Sequence, residues 1–464
     1  MNAAAAVAYT AAMDLQFLGA TDTVTGSKYL VTHQGRHLLV DCGLFQGYKA
    51  LRLRNWQPLP VDAASIDAVI LTHAHIDHSG YVPLLIKQGF KGPVYCTAAT
   101  RDLCAILLPD SGHLMEEEAE YANRHGFSKH APALPLYGHA DAIAAMNSFR
   151  TVEWDHDFEP LPGLRARLAP AGHMPGASFV RLDDGQRSIL FSGDVGRADD
   201  MLLKPPRDMA GADYLVVEST YGDRSHEQAD VVEQLGDIIR RTAARGGTVV
   251  IPAFAVGRAQ ALLHVIRLLR QRDAIPYLPV YLNSPMATEA LEVYRRHAAE
   301  MRLPKAEIEA LAGAAQIVRS AEESIALNAR RGPMVIIAAS GMATGGRVVH
   351  HLKAFAPDHR STIVLAGFQS GGTRGAALEQ GASTIRIHGQ EVPVRAEIAK
   401  ISALSAHADG PGIVEWLRKF TQKPRCTFIT HGEPDAADAM RQRIERTLHW
   451  DCRLPYYLEK VSLD

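Results

Sequence analysis

Within LTHAHIDHSGYVPLL, Leu71 to Leu85, three histidines and an aspartate fall in six positions as H-A-H-I-D-H. Imidazole and carboxylate are ligands of zinc and similar divalent ions, and three protein ligands already satisfy a tetrahedral ion that keeps one position open. His73, His75, Asp77 and His78 therefore nearly over-supply one ion and point to two. A second ion needs ligands from elsewhere in the chain. His173 after RARLAPAG, Asp194 after SILFSG and His431 after CTFIT each follow a short apolar run in the same manner. Asp41, after HLLV, is placed to accept hydrogen bonds from ligand imidazoles and so orient them.

The elements that must position these groups are legible around them. The β-branched run IDAVIL predicts a strand ending at Thr72, with the histidine motif on the loop that follows and a helix next. Loops at the carboxyl ends of strands are where α/β folds hold their sites. The first part of the chain reads as short β segments with helices between: LQFLGA, SKYLVTHQGRHLLVDCG, RARLAP, SILFSGD and DYLVVES. From about Glu116 a charged stretch predicts a helix, then a Pro-broken excursion. After Glu218 a unit of apolar strand, Gly- or Pro-containing loop and amphipathic helix occurs four times, beginning at GTVVIP, PVYLN, MVIIA and STIVLA. That alternation predicts a parallel sheet covered by helices. β-like sequence returns from Ile387 to Ile401 and at CTFITHG, so one domain is expected to interrupt another. The expected division is 13–218, an insert at 219–385, and 386–464.

Composition sets outer bounds. With 464 residues and 47% hydrophobic content, the chain can bury two or three cores. No apolar run approaches the roughly 20 residues of a membrane span, and Met1 to Ala12 reads as a loose, Ala-rich leader without the pattern of a secretion signal. The expectation is a protein without membrane contact. Five scattered cysteines with no CxxC pair disfavour a disulfide framework and suit a reducing cytoplasm. The formal charge of -2 excludes a coat of basic residues. Between Ser219 and Ile385, however, 19 Lys+Arg stand against 15 Asp+Glu, a local +4 that leaves 30 against 36 elsewhere. The middle of the chain is thus the better surface for an anionic substrate, although four charges spread over a solvated face would look the same.

HAHIDH with His173 and Asp194 downstream resembles the metallo-β-lactamase superfamily, whose αββα sandwich carries a dinuclear site. VESTYGDR at Val217 to Arg224, SAHAD at Ser405 to Asp409, ITHGE at Ile429 to Glu433 and the inserted strand-and-helix region look like the β-CASP nucleases. SGMATGGRVVHHL and the histidine at 431 look like bacterial and archaeal relatives of the nuclease subunit of the cleavage and polyadenylation factor. The resemblance implies an α/β fold: an αββα sandwich interrupted by a parallel-sheet β-CASP insert. It also implies two zinc ions per chain, with manganese as a substitute. His73, His75 and His173 would hold one; Asp77, His78 and His431 the other; Asp194 would bridge them. Asp77 then belongs to the catalytic set, and His407, oriented by Glu218, would protonate the leaving ribose oxygen after hydroxide attacks phosphorus. The implied substrate is single-stranded RNA, and a homodimer stays open. The extra C-terminal domain usual in ribonuclease J and the N-terminal RNA-binding modules of archaeal relatives are not seen, so the expectation is endonucleolytic cutting without built-in sequence preference.

Three insert loops carry small residues: AFAVGR, SGMATGGR and GFQSGGTRG. Backbone N–H groups at a helix start can cradle phosphate, with Ser340, Gly341, Gly345 and Gly346 as candidates and Arg258, Arg347 and Arg374 adding charge. The same glycines also serve ordinary turn geometry. With 7% aromatic residues no stacking platform stands out. Two other readings stay open. A small-molecule hydrolase such as a thioesterase or lactonase would leave Glu218, His407 and the insert unexplained, and a non-catalytic RNA-binding scaffold would be expected to have lost ligands.

Overall fold

The computed structural model describes residues 13–126, 128–226, 230–367, 369–401 and 404–464; the leader at 1–12 lies outside the described residues. Two seven-stranded sheets pack face to face. The first runs, in spatial order, Lys460–Leu463, Met13–Phe17, Tyr29–His33, Arg36–Val40, Ile66–Ile70, Val94–Cys96 and Phe149–Thr151. The second runs Cys452–Arg453, Cys426–Ile429, Tyr214–Val217, Ser188–Phe191, Ser178–Asp183, Leu164–Pro170 and Asp157–Leu161. Alternation makes the shared core. In Leu164–Pro170 the leucines and Ala166 are buried while Arg165 and Arg167 are exposed, as a strand with one face on a core requires. Phe17, Tyr29, Phe191 and Phe428 meet between the sheets, with ring centroids 5.2 to 6.1 Å apart.

Helices cover the outer faces, giving the αββα sandwich. Ala98–His125 is the longest, started by Thr97, whose hydroxyl accepts from Thr100 N, and stopped by Gly126 at a left-handed φ of 65°. It begins well before the charged stretch from which a helix was expected.

The insert is a six-stranded, all-parallel sheet ordered Gln316–Ile317, Val280–Asn283, Met334–Ala338, Thr248–Pro252, Thr362–Ala366 and Glu397–Ile401. Every residue of Thr248–Pro252, Met334–Ala338 and Thr362–Ala366 is buried, which is why these runs are continuously apolar rather than alternating. One boundary needs correction. The sequence places the β-like stretch up to Ile401 in the returning sandwich, with the insert ending at 385. Glu397–Ile401 instead pairs in parallel with Thr362–Ala366. A lone strand carries no mark of which sheet it will join, and the apolar edge of Thr362–Ala366 captures it.

The insert is stitched to the sandwich beside the histidine loops. Asp102 bonds Arg296 and His297, Glu300 accepts from Gly176 N at 2.7 Å, and Met301 forms a β-bridge with Leu203. The sandwich loop that carries His173 is therefore braced by the insert.

Candidate metal centre

All seven expected ligands converge at one edge of the sandwich. His73, His75, Asp77 and His78 follow strand Ile66–Ile70; His173 follows Leu164–Pro170, Asp194 follows Ser188–Phe191, and His431 follows Cys426–Ile429. His73 Nε2 stands 3.1 Å from His75 Nδ1 and 3.3 Å from Asp194 Oδ2; His173 Nε2 stands 3.2 Å and 3.4 Å from the same two atoms. Donors about 2.0 to 2.1 Å from a tetrahedral zinc are about 3.3 to 3.4 Å from one another. The four atoms thus have the spacing of a zinc cage. A second cage adjoins it. His78 Nε2 lies 3.0 Å from His431 Nε2 and 3.2 Å from Asp194 Oδ1, and His431 Nε2 lies 3.3 Å from Asp77 Oδ2. Asp194 turns one carboxylate oxygen to each cage.

The donor chemistry fits cations. Asp194 is 2% exposed, yet its Oδ1 accepts no hydrogen bond among the described residues, and a buried carboxylate oxygen left bare is costly unless a cation meets it. Outward hydrogen bonds set the tautomers. His78 Nδ1 donates to Asp41 at 2.8 Å, and Asp41 also accepts from Thr72 N and Thr72 Oγ1, so the anchoring expected of Asp41 is in the geometry. Because the Thr72 hydroxyl is committed to Asp41, it accepts from His73 Nδ1 at 3.1 Å and leaves Nε2 with its lone pair inward. Burial, reinforced by neighbouring imidazoles, drives His73 down to about 3. Burial brings His75 to about 4 and pushes His173 well below its usual value. These rings are neutral and free to coordinate. Burial opposes the charge of Asp194, but the neighbouring His431 and His78 outweigh it and hold the carboxyl well below the usual range.

Local geometry at these loops is demanding. Gly193 (φ 50°) lets the Asp194 turn press on Thr72, where a Cβ would lie 2.7 Å from the threonine side chain. His431 itself sits at φ 50°, a strained conformation for a non-glycine residue. It is held there by Nδ1, which donates to Thr220 Oγ1 at 3.0 Å, and by its own N–H on Ala20 O.

Beside the cages, His407 Nε2 is 3.8 Å from Asp194 Oδ2, while its Nδ1 donates to Glu218. Burial opposes a charge on His407, but Glu218 and Asp194 outweigh it and push the ring up to about 9. The backbone at His407 is clamped: it bridges Gly196, Ala408 N donates to Val195 O, and His226 Nε2 donates to His407 O at 2.9 Å. The partly exposed members of the site are His75, Asp77 and His407, so the centre opens on that side, toward the insert.

Comparison with known proteins fits this geometry. Successive parts of the chain match family models for the metallo-beta-lactamase superfamily (22–227), the Beta-Casp domain (259–378) and a Zn-dependent metallo-hydrolase RNA specificity domain (391–455). A ribonuclease of Thermus thermophilus is 37% identical over 427 residues, 90% of this chain and 92% of that protein. The chain belongs to the β-CASP family of the metallo-β-lactamase superfamily. The transcription termination factor FttA of Methanosarcina mazei, another β-CASP relative, is 30% identical over 467 residues, 96% of this chain and 71% of that protein. A solved structure of a protein of unknown function from Enterococcus faecalis shares the fold, with a TM-score of 0.53, 13% identity, and coverage of 98% of this chain and 100% of that one.

The loops of the β-CASP insert hold their arginines through internal hydrogen bonds. Arg258 is buried and bonds Ala366 O; Arg347 donates to Asn283 Oδ1, Val318 O and Arg319 O; Arg374 donates to Arg386 O, Ala343 O and Thr344 O. These guanidinium groups brace the loops, because carbonyls left open by the turns take part of their donors. Ser340 Oγ accepts from Thr344 N, Gly346 starts helix Arg347–Phe355, and Gly345 borders open space. Gly341 has a packing reason: a Cβ there would lie 2.6 Å from the Phe254 ring. Phe254, which the sequence did not single out, stands 6.3 Å from the His75 ring and joins the Ser340–Gly346 loop to the first cage. Thr220 was missed as well, although it lies inside the quoted VESTYGDR; its hydroxyl donates to Glu218 at 2.6 Å. Among the described residues no helix is long and apolar enough to cross a membrane.

Proposed function

We propose that this chain is a zinc-dependent endoribonuclease that hydrolyses phosphodiester bonds of single-stranded RNA between the sandwich and the insert. The observation that carries the proposal is the pair of cages sharing Asp194, with His407 beside the shared carboxylate and Glu218 behind it. A ribonuclease relative of nearly the same length and a match to an RNA specificity domain support RNA as the polymer. The donor set, five imidazoles and two carboxylates at tetrahedral spacing, favours zinc over manganese, which prefers oxygen ligands in octahedra. Bound there, two divalent cations supply an activated water at neutral pH and offset the charge that builds on the phosphoryl oxygens.

The protein's own residues do the rest. Glu218 accepts from His407 Nδ1, so Nε2–H faces the reacting side and is the proton given to the leaving ribose oxygen. General acid catalysis of this kind contributes about 10² to 10⁴ in rate. Phe254 and the Ser340–Gly346 loop form the opposing wall. Five free cysteines suit work in a reducing cytoplasm.

The test is an assay of metal-reconstituted protein on 5′-labelled single-stranded RNA, its DNA equivalent, and a chromogenic ester and lactam. Internal RNA products that vanish with a chelator are expected. Ester turnover without RNA cleavage would instead make it a small-molecule hydrolase, and inertness with zinc bound would make it a scaffold.

A further inference from the structure

The segment after the Asp41 loop has no part in the centre described above, yet its surface is unusual. From Cys42 to Val61 it carries Lys49, Arg52 and Arg54 and no acidic residue. Its short helix, Lys49–Arg54, buries none of its residues. The helix is pinned from below by Asn55, whose side chain accepts from Phe45 N at 2.9 Å and donates to Phe45 O at 2.8 Å. Outward it leaves Tyr48 53% and Trp56 57% exposed. Lys49 and Arg52 are exposed too, and neither joins an ion pair among the described residues. Tyr48 rests one side of its ring on the Gly371–Gly372 turn, but folding alone gives no reason to present Trp56 among uncompensated cations.

The placement is specific. Cys42 N donates to His78 O and Leu44 N to Ile76 O, so the segment departs from the helix that bears Asp77 and His78. Tyr48 stands five residues beyond Gly43, at most about 17 Å of extended chain. There it meets the insert: a Cβ on Gly371 would lie 2.3 Å from Tyr48 Oη, and one on Gly47 would lie 2.9 Å from Gly371 O. Tyr48 therefore joins the two domains, on a segment that begins at the helix bearing Asp77 and His78.

We propose that Tyr48, Lys49, Arg52 and Trp56 form a landing platform for single-stranded RNA, which stacks its bases on the rings while the cations neutralise its phosphates. The proposal rests on the ribonuclease reading. Exposed π faces interleaved with cations suit an unpaired strand, because every base can stack without a sequence requirement. A protein partner would need a larger and more continuous apolar patch.

The test uses zinc-loaded protein and phosphorothioate-linked oligouridylates of about 20 and about 4 nucleotides, followed by anisotropy across a salt series. Tyr48→Ala and Trp56→Ala are each expected to weaken the longer strand about ten-fold and the shorter less than about two-fold. Removing Lys49 and Arg52 together should lower the slope of log affinity against log salt by about 1.4. Trp56 should also report directly, as quenching of tryptophan fluorescence by RNA that Trp56→Phe abolishes. Unchanged affinity and salt slope in variants with wild-type circular dichroism would overturn the platform, as would a change in oligomeric state with RNA binding intact. Failure of the parent reading is separate, since it appears as absent RNA cleavage by the wild-type protein, which the binding titration does not require.

Discussion

His407 Nδ1 lies 3.0 and 3.1 Å from the two carboxylate oxygens of Glu218, a residue 189 positions earlier in the chain. Glu218 is 1% exposed and also accepts from Val195 N and Thr220 Oγ1. The chain leaves the sandwich just after Glu218 and re-enters it just before His407. The His407–Glu218 pair is therefore closed across the point where the insert leaves and rejoins the sandwich, and Glu218 is held by enough donors to keep its place.

Glu218→Gln keeps the shape and removes the charge. The carboxylate raises the pKa of His407, so its loss lowers that pKa, and a general acid must hold its proton to act. The alkaline limb of the kcat–pH profile should move to lower pH, with a fall of about ten-fold or more at neutral pH. A profile unmoved from wild type would leave Glu218 a structural role only.

Thr220 links the same carboxylate to the second cage, accepting from His431 Nδ1 and donating to Glu218. Thr220→Val keeps the volume, leaves His431 Nδ1 unsatisfied at about 1 to 3 kcal/mol, and takes one of several donors from Glu218. Lower kcat and weaker zinc retention are expected together, with Thr220→Ser restoring both; a variant that loses neither removes Thr220 from the account.

Asp41 orients a ligand without touching a cage. Asp41→Asn should weaken metal affinity by about 10 to 100-fold, the usual effect of losing a carboxylate behind a ligand histidine. Competition with a chromogenic chelator measures it, and wild-type affinity would show the Asp41 to His78 hydrogen bond to be dispensable.

Lys28 gives a test of the fold that needs no catalysis. It is 2% exposed, between the rings of Phe45 (4.6 Å) and Tyr81 (4.9 Å), and burial pushes it down to about 8 from 10.5. Between those values the unfolded chain binds a proton that the folded protein does not, so this residue's contribution to stability rises with pH across that window and is least favourable below it. Lys28→Met should be the more stable protein at pH 7, by up to about 3 kcal/mol less the lost cation–π contact, and the gap should narrow by pH 9.5. Denaturant unfolding at the two pH values reads this directly; a gap constant with pH would mean that Lys28 is solvated in the fold.

Much of the centre was legible because ligand chemistry is local. His73 to His78 share one loop, and His173, Asp194 and His431 each stand just after an apolar strand, where residue type and position agree. The carbonyl partners of Arg347 and Arg374 were hidden for the opposite reason. A sequence displays a guanidinium group but not the carbonyls that will reach it first. Thr220 and Phe254 matter through what lies opposite them, and nothing in their own neighbourhoods announces His431 or His75. Glu397–Ile401 joined the insert because strand pairing is decided by the edge that is free, which is a property of the assembled sheet.

The most direct measurement is cleavage of 5′-labelled single-stranded RNA by zinc-reconstituted His407→Ala, with zinc per chain determined on the same sample. The account predicts wild-type zinc content with cleavage lower by about 10² to 10⁴, whereas Asp194→Asn in the same assay loses zinc and cleavage together. Cleavage by His407→Ala at the wild-type rate would contradict it.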